Sequence, residues 1–267
     1  MKRYLPFVKS DPLVAVLRLQ GVISSGGRGG SGLNDAALAP MIERAFSRGK
    51  PDAVALVINS PGGSPVQSSL IAARIRRLAD EKEIPVHAFV EDVAASGGYW
   101  LACAADEIWV DASSIIGSIG VISAGFGFHE FIARHGIERR VHTAGKSKSM
   151  LDPFQPEKKA DITRLKALQD QIHQSFVTHV TDRRGARLAE GADLFTGDIW
   201  VGQGGVDLGL ADGIGHMVPN MKAIFGDKVK FRTYDPKRSL WQRLGARAVS
   251  ELADTIEERA LWAQYGL

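Results

Sequence analysis

AVALVINSPGGSP, residues 53–65, decides the architecture of this chain. Its opening AVALVI is an unbroken apolar run, the pattern of a strand buried on both faces of a sheet. Asn59-Ser60-Pro61-Gly62-Gly63 then interrupts the run. Ser64 and Pro65 read as the N-cap and first position of a helix. A buried strand that ends in a glycine turn and feeds a helix is the building unit of a parallel α/β sheet.

The same alternation extends in both directions. Residues 13–19 (LVAVLRL) read as a strand, followed by a glycine-rich loop at 26–32. Asn34 is placed to cap a helix that puts Leu38, Met41, Ile42, Ala45 and Phe46 on one face and stops at Gly49. Downstream, residues 85–90 form the next strand, which leads to Ser96-Gly97-Gly98 and a short apolar helix at 99–105. Residues 108–110 and the Gly117-Ser118-Ile119-Gly120 segment follow, then a helix near 128–134 and a strand near 139–143. Residues 156–185 carry Leu165, Leu168, Ile172, Phe176 and Val180 at helical spacing, and 195–215 reads as a further helix with glycine-rich borders. In 239–265, Leu240, Leu244, Ala248, Leu252 and Ile256 recur every fourth residue. The expectation is one α/β domain with a mostly parallel sheet over 1–235 and an amphipathic helical tail over 236–267.

Composition narrows the function classes. The chain has 267 residues, of which 45% are hydrophobic and 24% charged, so disorder and collagen-like fibres are excluded. A net charge of +3 gives no electrostatic case for a nucleic-acid partner. The single cysteine, Cys103, excludes an internal disulfide and a multi-cysteine zinc site, and its apolar helix points to a buried, unreactive thiol. Met1-Lys2-Arg3 begins like a secretory signal, but the apolar stretch after it ends at Lys9, short of the roughly 7–15 residues an h-region needs. No stretch approaches the roughly 18 apolar residues of a membrane span. A cytoplasmic chain without an integral membrane segment is expected. The tail turns acidic in its second half, which favours packing on protein, with peripheral membrane association as the other option. What stands out is glycine: 29 residues, about 11% against roughly 7% on average.

Three glycine-rich turns sit where open parallel sheets bind ligands, beyond the carboxyl ends of strands. Ser60-Pro61-Gly62-Gly63 is either an anion cradle or a plain tight turn, and it lacks the Gly-x-Gly-x-x-Gly spacing of a dinucleotide site. Ser96 either caps the helix behind it or presents its hydroxyl as a nucleophile beside free helical N–H groups. A nucleophile needs a base. Among seven histidines, His216 with Asp207 or Asp212 follows the chain order of a hydrolase triad, although no clear strand precedes either acid. The segment 145–154, GKSKSMLDPF, offers Lys146 and Lys148 instead, with Met150 and Phe154 beside them as water-excluding groups or ordinary core.

Five pieces occur in one order: Asn59-Ser60-Pro61-Gly62-Gly63, Ala95-Ser96-Gly97-Gly98-Tyr99, Gly117-Ser118-Ile119-Gly120-Val121, Gly145-x-x-Lys148-Ser149, and Phe195-Thr196-Gly197 through Gly209-Leu210-Ala211-Asp212. Together they resemble the signal peptide peptidase A family of serine peptidases, including its short SohB-type members. The resemblance covers roughly residues 13–220. It implies the Clp protease/crotonase-like spiral of β-β-α units. It also implies Ser96 as nucleophile, Lys148 as general base, Ser118 as the hydroxyl that orients the lysine, and the backbone N–H groups of Gly62 and Gly97 as the oxyanion hole. No cofactor or metal is implied. The implied partners are an extended peptide substrate and further copies of the chain in a ring-like homo-oligomer. Lys146 has no counterpart role and reads as a surface residue. Ser147 departs from the aromatic that often precedes the lysine, and the membrane anchor or signal sequence of many members is not seen. A free lysine, with a pKa near 10.4, is neutral in only about one molecule in a few thousand at pH 7, so a lysine base requires burial or nearby positive charge. Two other readings share the fold: a crotonase-like acyl-CoA enzyme using the same oxyanion hole, and a catalytically silent scaffold. Reaction of Ser96 with an acylating probe separates them.

Overall fold

The computed structural model of the chain describes residues 11–25, 32–145, 147–235, 259 and 261–267. Two compact units result, one formed by Met1–Ile119 with Val177–Leu267, the other by Gly120–Phe176.

The first unit is built on an eight-stranded sheet. Its strands are β1 (Leu13–Gln20), β2 (Ala53–Ser60), β3 (Val86–Ala95), β4 (Glu107–Val110), β5 (Ile115–Gly117), β6 (Ile199–Val201), β7 (Gly213–Ile214) and β8 (Lys230–Tyr234). They run in the order β6-β5-β3-β2-β1-β8, with β4 between β3 and β7. The β5–β6 pair is antiparallel and the other pairings are parallel. β2 lies at the centre with every residue buried, as its apolar run requires.

Helices α1 (Asp35–Ser47), α2 (Pro65–Lys82) and α3 (Gly97–Ala102) pack together and onto β1–β3. The Asn34 side chain caps α1 by accepting the Ala37 N–H at 2.9 Å, and α1 buries the five residues its periodicity marks. Ser64 caps α2 and Pro65 opens it. A cluster formed by Val14, Val16, Ala55, Val57, Phe89 and Met221 joins β1, β2 and β3 to α7 (Met217–Phe225). Burying each of its valine, phenylalanine and methionine side chains is worth about 1.5–3 kcal/mol, so this cluster anchors α7 to the sheet.

The second unit carries α4 (His129–Arg134) and the start of α5 (Lys159–Arg184), whose end from Val177 belongs to the first unit. Phe128 stacks on Phe154 with ring centroids 5.8 Å apart, and the Arg139 guanidinium lies over the Phe154 ring while pairing with Asp152. Phe154 is therefore a surface aromatic, 36% exposed, not core.

The structure corrects the sequence reading in two places. No strand forms near 139–143, where Arg139, Arg140 and His142 leave Val141 alone to bury. The single helix expected over 195–215 is instead β6, α6 (Gln203–Asp207) and β7. Gly197, Gly202 and Gly209 have φ of +90°, +41° and +74°, which a continuous right-handed helix excludes. α7 and β8 were not anticipated; β8 alternates Lys230 and Arg232 with Phe231 and is the sheet's edge. Residues 236–258 and 260, most of the expected tail, and Lys146 lie outside the described residues; residues 259 and 261–263 are helical.

Candidate active site

Three strand ends meet at one edge of the sheet, and the register shows why. β2 pairs β3 from Val54↔Val86 to Ile58↔Val90, then slips to Ser60↔Ala94. The two extra residues on β3 form a bulge. Buried Asn59 stitches it, donating to Asp92 Oδ2 at 2.6 Å and accepting the Val93 N–H at 3.3 Å. Beyond the bulge β3 leaves β4 and pairs with β5 through Val93↔Ile115 and Ala95↔Gly117. The carboxyl ends of β2, β3 and β5 are thereby brought side by side, carrying Ser60, Ser96 and Ser118.

Ser96 occupies the corner between β3 and α3 with φ 51° and ψ −120°, a backbone state that costs a non-glycine residue about 1–3 kcal/mol. Its N–H donates to the Gly117 carbonyl at 2.8 Å. Its side chain makes no capping hydrogen bond to α3, so the cap reading of Ser96 does not hold. Ser118, at φ 52°, is held by its own N–H on the Asp198 carbonyl at 2.7 Å. Both serines are half-buried among fully buried neighbours.

Gly62 and Gly97 cross at van der Waals distance. A Cβ on Gly62 would stand 2.8 Å from the Ala95 carbonyl oxygen and from the Gly97 nitrogen, and its φ is +104°. A Cβ on Gly63 would strike the Ile23 carbonyl, and one on Gly98 the Ser60 carbonyl. The Gly62 N–H donates to Ser60 Oγ at 3.2 Å. Gly62, Ser96, Gly97 and Ser118 thus form one constellation on the first unit. Lys148 is on the second unit, in an exposed turn where its N–H donates to the Gly145 carbonyl at 3.2 Å.

The histidine triad does not assemble. Asp212 is taken by Arg184 at 2.8 and 3.1 Å and by the Ile108 N–H, and Asp207 accepts from Gln203. His216 pairs with Asp111 at 2.8 Å on a cavity of about 380 Å³ shared with Arg18, Phe89 and Glu91. Glu91, on β3, precedes Ser96 by five positions, at most about 16 Å of extended chain at about 3.3 Å per residue. Among the described residues, no group of three or more His, Cys, Asp or Glu side chains is placed to hold a metal ion.

Sequence reasoning missed the brace behind α3. The Tyr99 hydroxyl, fully buried, donates to the Leu210 carbonyl at 2.8 Å. From α5, Arg183 donates to the Cys103 and Ala105 carbonyls at 2.8 and 2.9 Å, and Arg184 to the Gly209 carbonyl at 2.9 Å. His179 stacks on Trp100 at 4.8 Å and contacts its carbonyl at 3.1 Å. Burial opposes ionisation of Asp212, but hydrogen bonds from Arg184 and the Ile108 N–H outweigh it and hold the carboxyl below its ordinary range. Burial lowers the His179 pKa, and it pushes the Cys103 thiol up to about 12. The signal available beforehand was the pair Arg183-Arg184 at the end of a long helix, which reads equally as a solvated helix terminus.

Comparison with known proteins gives four findings. The family profile of Peptidase family S49 matches residues 79–223. A Brucella melitensis protein named Na(+)/H(+) antiporter NhaA is 48% identical over 286 aligned positions, which take in 100% of this chain and 39% of that protein. The probable protease SohB of Haemophilus influenzae is 30% identical over 209 residues, 77% of this chain and 58% of that one. The chain thus spans about two-fifths to three-fifths of these relatives' lengths. Among solved structures, the 1510-N membrane-bound stomatin-specific protease, a lysine-to-alanine mutant in complex with a substrate peptide, superposes with a TM-score of 0.54. It is 14% identical, with 92% of this chain and 100% of that one covered. That likeness establishes the Clp protease/crotonase-like α/β fold. Among the described residues no helix is long and apolar enough to cross a membrane.

Proposed function

Since the chain belongs to peptidase family S49, we propose that it is a serine endopeptidase whose nucleophile is Ser96 and whose general base is Lys148. The observation that carries the reading is the corner at Ser96. A strained serine with no capping bond stands at the end of a parallel strand, beside two crossing glycine turns and a second strained serine. Strain of this kind persists where the surroundings hold it for chemistry.

In the proposed reaction the neutral Lys148 amine takes the Ser96 hydroxyl proton as Oγ attacks the peptide carbonyl. Ser118 accepts a hydrogen bond from that amine and aims its lone pair. The N–H groups of Gly62 and Gly97 receive the oxyanion. Gly62 exchanges Ser60 Oγ for this charged and stronger acceptor, and each oxyanion donor is worth about 3–4 kcal/mol in acyl transfer. The lysine then returns its proton to the leaving amine, and water hydrolyses the acyl-enzyme by the same route. Extended peptides are the proposed substrates, in keeping with the substrate peptide bound by the stomatin-specific protease. Self-assembly belongs to the same proposal, supported by Ile122, Phe126 and Phe131, which stand 79%, 82% and 56% exposed on the second unit. Its measure is the mass of the purified chain in solution.

The test is reaction of Ser96 with a fluorophosphonate probe, alongside hydrolysis of an unfolded-peptide library. Wild type is expected to be labelled at Ser96 and to cleave peptides. Ser96→Ala and Lys148→Ala are expected to do neither while melting like wild type. Full activity in Lys148→Ala, with loss in His216→Ala, would overturn the lysine assignment.

A further inference from the structure

We propose that the end of β5 at Ser118 is the seat of this chain's own segment 261–267, and that the seated segment blocks the active site. The inference rests on the peptidase reading above.

The phenol of Tyr265 stands 3.5 Å from Ser118 Oγ, at the outer limit of hydrogen-bond reach, with the hydroxyl as donor. The segment reaches that place as a folded knuckle. Its Trp262 carbonyl accepts the Tyr265 and Leu267 N–H groups at 2.9 and 3.3 Å, the Gly266 N–H donates to the Ala263 carbonyl at 3.2 Å, and Gly266 closes the turn with φ +75°. Only glycine takes that conformation freely. Leu261, Trp262 and Tyr265 are half-buried while Ala263 and Gln264 are exposed. The segment therefore lays one apolar, aromatic face down and turns the other to water.

Two consequences follow from where that face lands. Ser118 and Ser96 follow paired residues on neighbouring strands, Gly117 and Ala95, and neighbouring strands lie about 4.8 Å apart. A tyrosine ring on Ser118 is thus about one strand spacing from the nucleophile, in space an extended substrate must cross. The phenol also donates to the oxygen that the proposed mechanism assigns to the lysine amine. A seated Tyr265 excludes substrate and competes for the group that aims the base.

The experiment uses the full chain and follows the rate of fluorophosphonate labelling at Ser96 by mass spectrometry. Releasing the segment in Tyr265→Ala is expected to raise the rate about fivefold, the scale of one hydrogen bond and its packing, with Tyr265→Phe between the two. Adding the synthetic peptide RALWAQYGL, residues 259–267, is expected to slow the Ala variant competitively. Equal or slower labelling of Tyr265→Ala overturns the seat and leaves the peptidase reading standing. A wild-type rate that falls as protein concentration rises overturns it in favour of a seat on a second copy. No labelling of any variant, each still folded, removes the peptidase reading and this inference with it.

Discussion

Four glycines surround one serine because two backbones pass there with no room for a Cβ. Gly62 combines a φ of +104° with a prospective Cβ only 2.8 Å from two backbone atoms of the Ser96 corner. Gly62→Ala is expected to cost about 1–3 kcal/mol and to abolish Ser96 labelling, since relief of the clash moves the corner itself. Gly204→Ala is the contrast: nothing lies within 4 Å of its Cβ position in α6, so thermal melting within about 0.5 kcal/mol of wild type is expected. Cys103 makes a second prediction at this scale. Its thiol is completely buried and pushed up to about 12, so at pH 8 it is neither accessible nor ionised. A thiol reagent such as dithionitrobenzoate should react only as fast as the protein unfolds; rapid reaction with native protein would contradict the burial.

Among the elements, the short helix α3 depends on the long helix α5. Six residues make too short a helix to be stable alone. Its C-terminal carbonyls and following turn receive the guanidinium groups of Arg183 and Arg187, while Arg184 and Asp212 lock the turn that accepts the Tyr99 hydroxyl. The Arg184 side chain is 2% exposed, so Arg184→Met leaves a half-buried carboxylate without its main partner. A loss of about 3–5 kcal/mol in urea unfolding is expected. Two titrations give the pH dependence. Asp212 ionises more readily folded than unfolded, so its contribution is complete above the ordinary carboxylate pKa of about 3.9 and is lost as pH falls through the lowered folded value. His179 is kept neutral by burial, so below about pH 6.5 the unfolded chain binds the proton first and stability declines. The urea midpoint should fall from pH 7.5 to 5.5, and His179→Phe should flatten that fall. An equal fall in the variant would assign it to other groups.

At the level of the whole molecule, the two units differ in how much they bury. The first owns a fully buried central strand and nearly all of the buried apolar residues. The second buries Phe176 at its boundary and otherwise shows partly exposed aromatics. Local opening is easiest where few apolar contacts oppose it. Limited trypsin digestion is therefore expected to cut first at Arg134, Arg139 or Arg140, well before any site in α1 or α2; early cleavage in α2 would refute that order. The antiporter name attached to the Brucella relative belongs to a protein of which this chain spans 39%. The family profile matches residues 79–223, which include Ser96, Ser118 and Lys148.

How much was legible beforehand depends on the distance over which each feature is decided. The caps Asn34 and Ser64, the apolar face of α1 and the buried run of β2 were readable because hydrogen bonds and packing among near neighbours decide them. The order of the motifs, through the resemblance it carries, proposes Ser96, Ser118, Gly62 and Gly97, and the fold brings these four residues to neighbouring strand ends. The segment 195–215 reads as one helix from its spacing, but Gly202 and Gly209 stand at positive φ where they press against the backbones of Ala112 and Arg187, contacts no local pattern announces. By itself, then, the sequence determined the parallel α/β class, the strand–turn–helix units and the residues at each strand end. Tertiary structure alone decided that β3 changes partner at the Asn59 bulge, that α5 holds α3, and that Tyr265 meets Ser118. Those contacts join residues 33, 80 and 147 positions apart, where no local periodicity reaches and only the free energy of the folded whole selects the pairing.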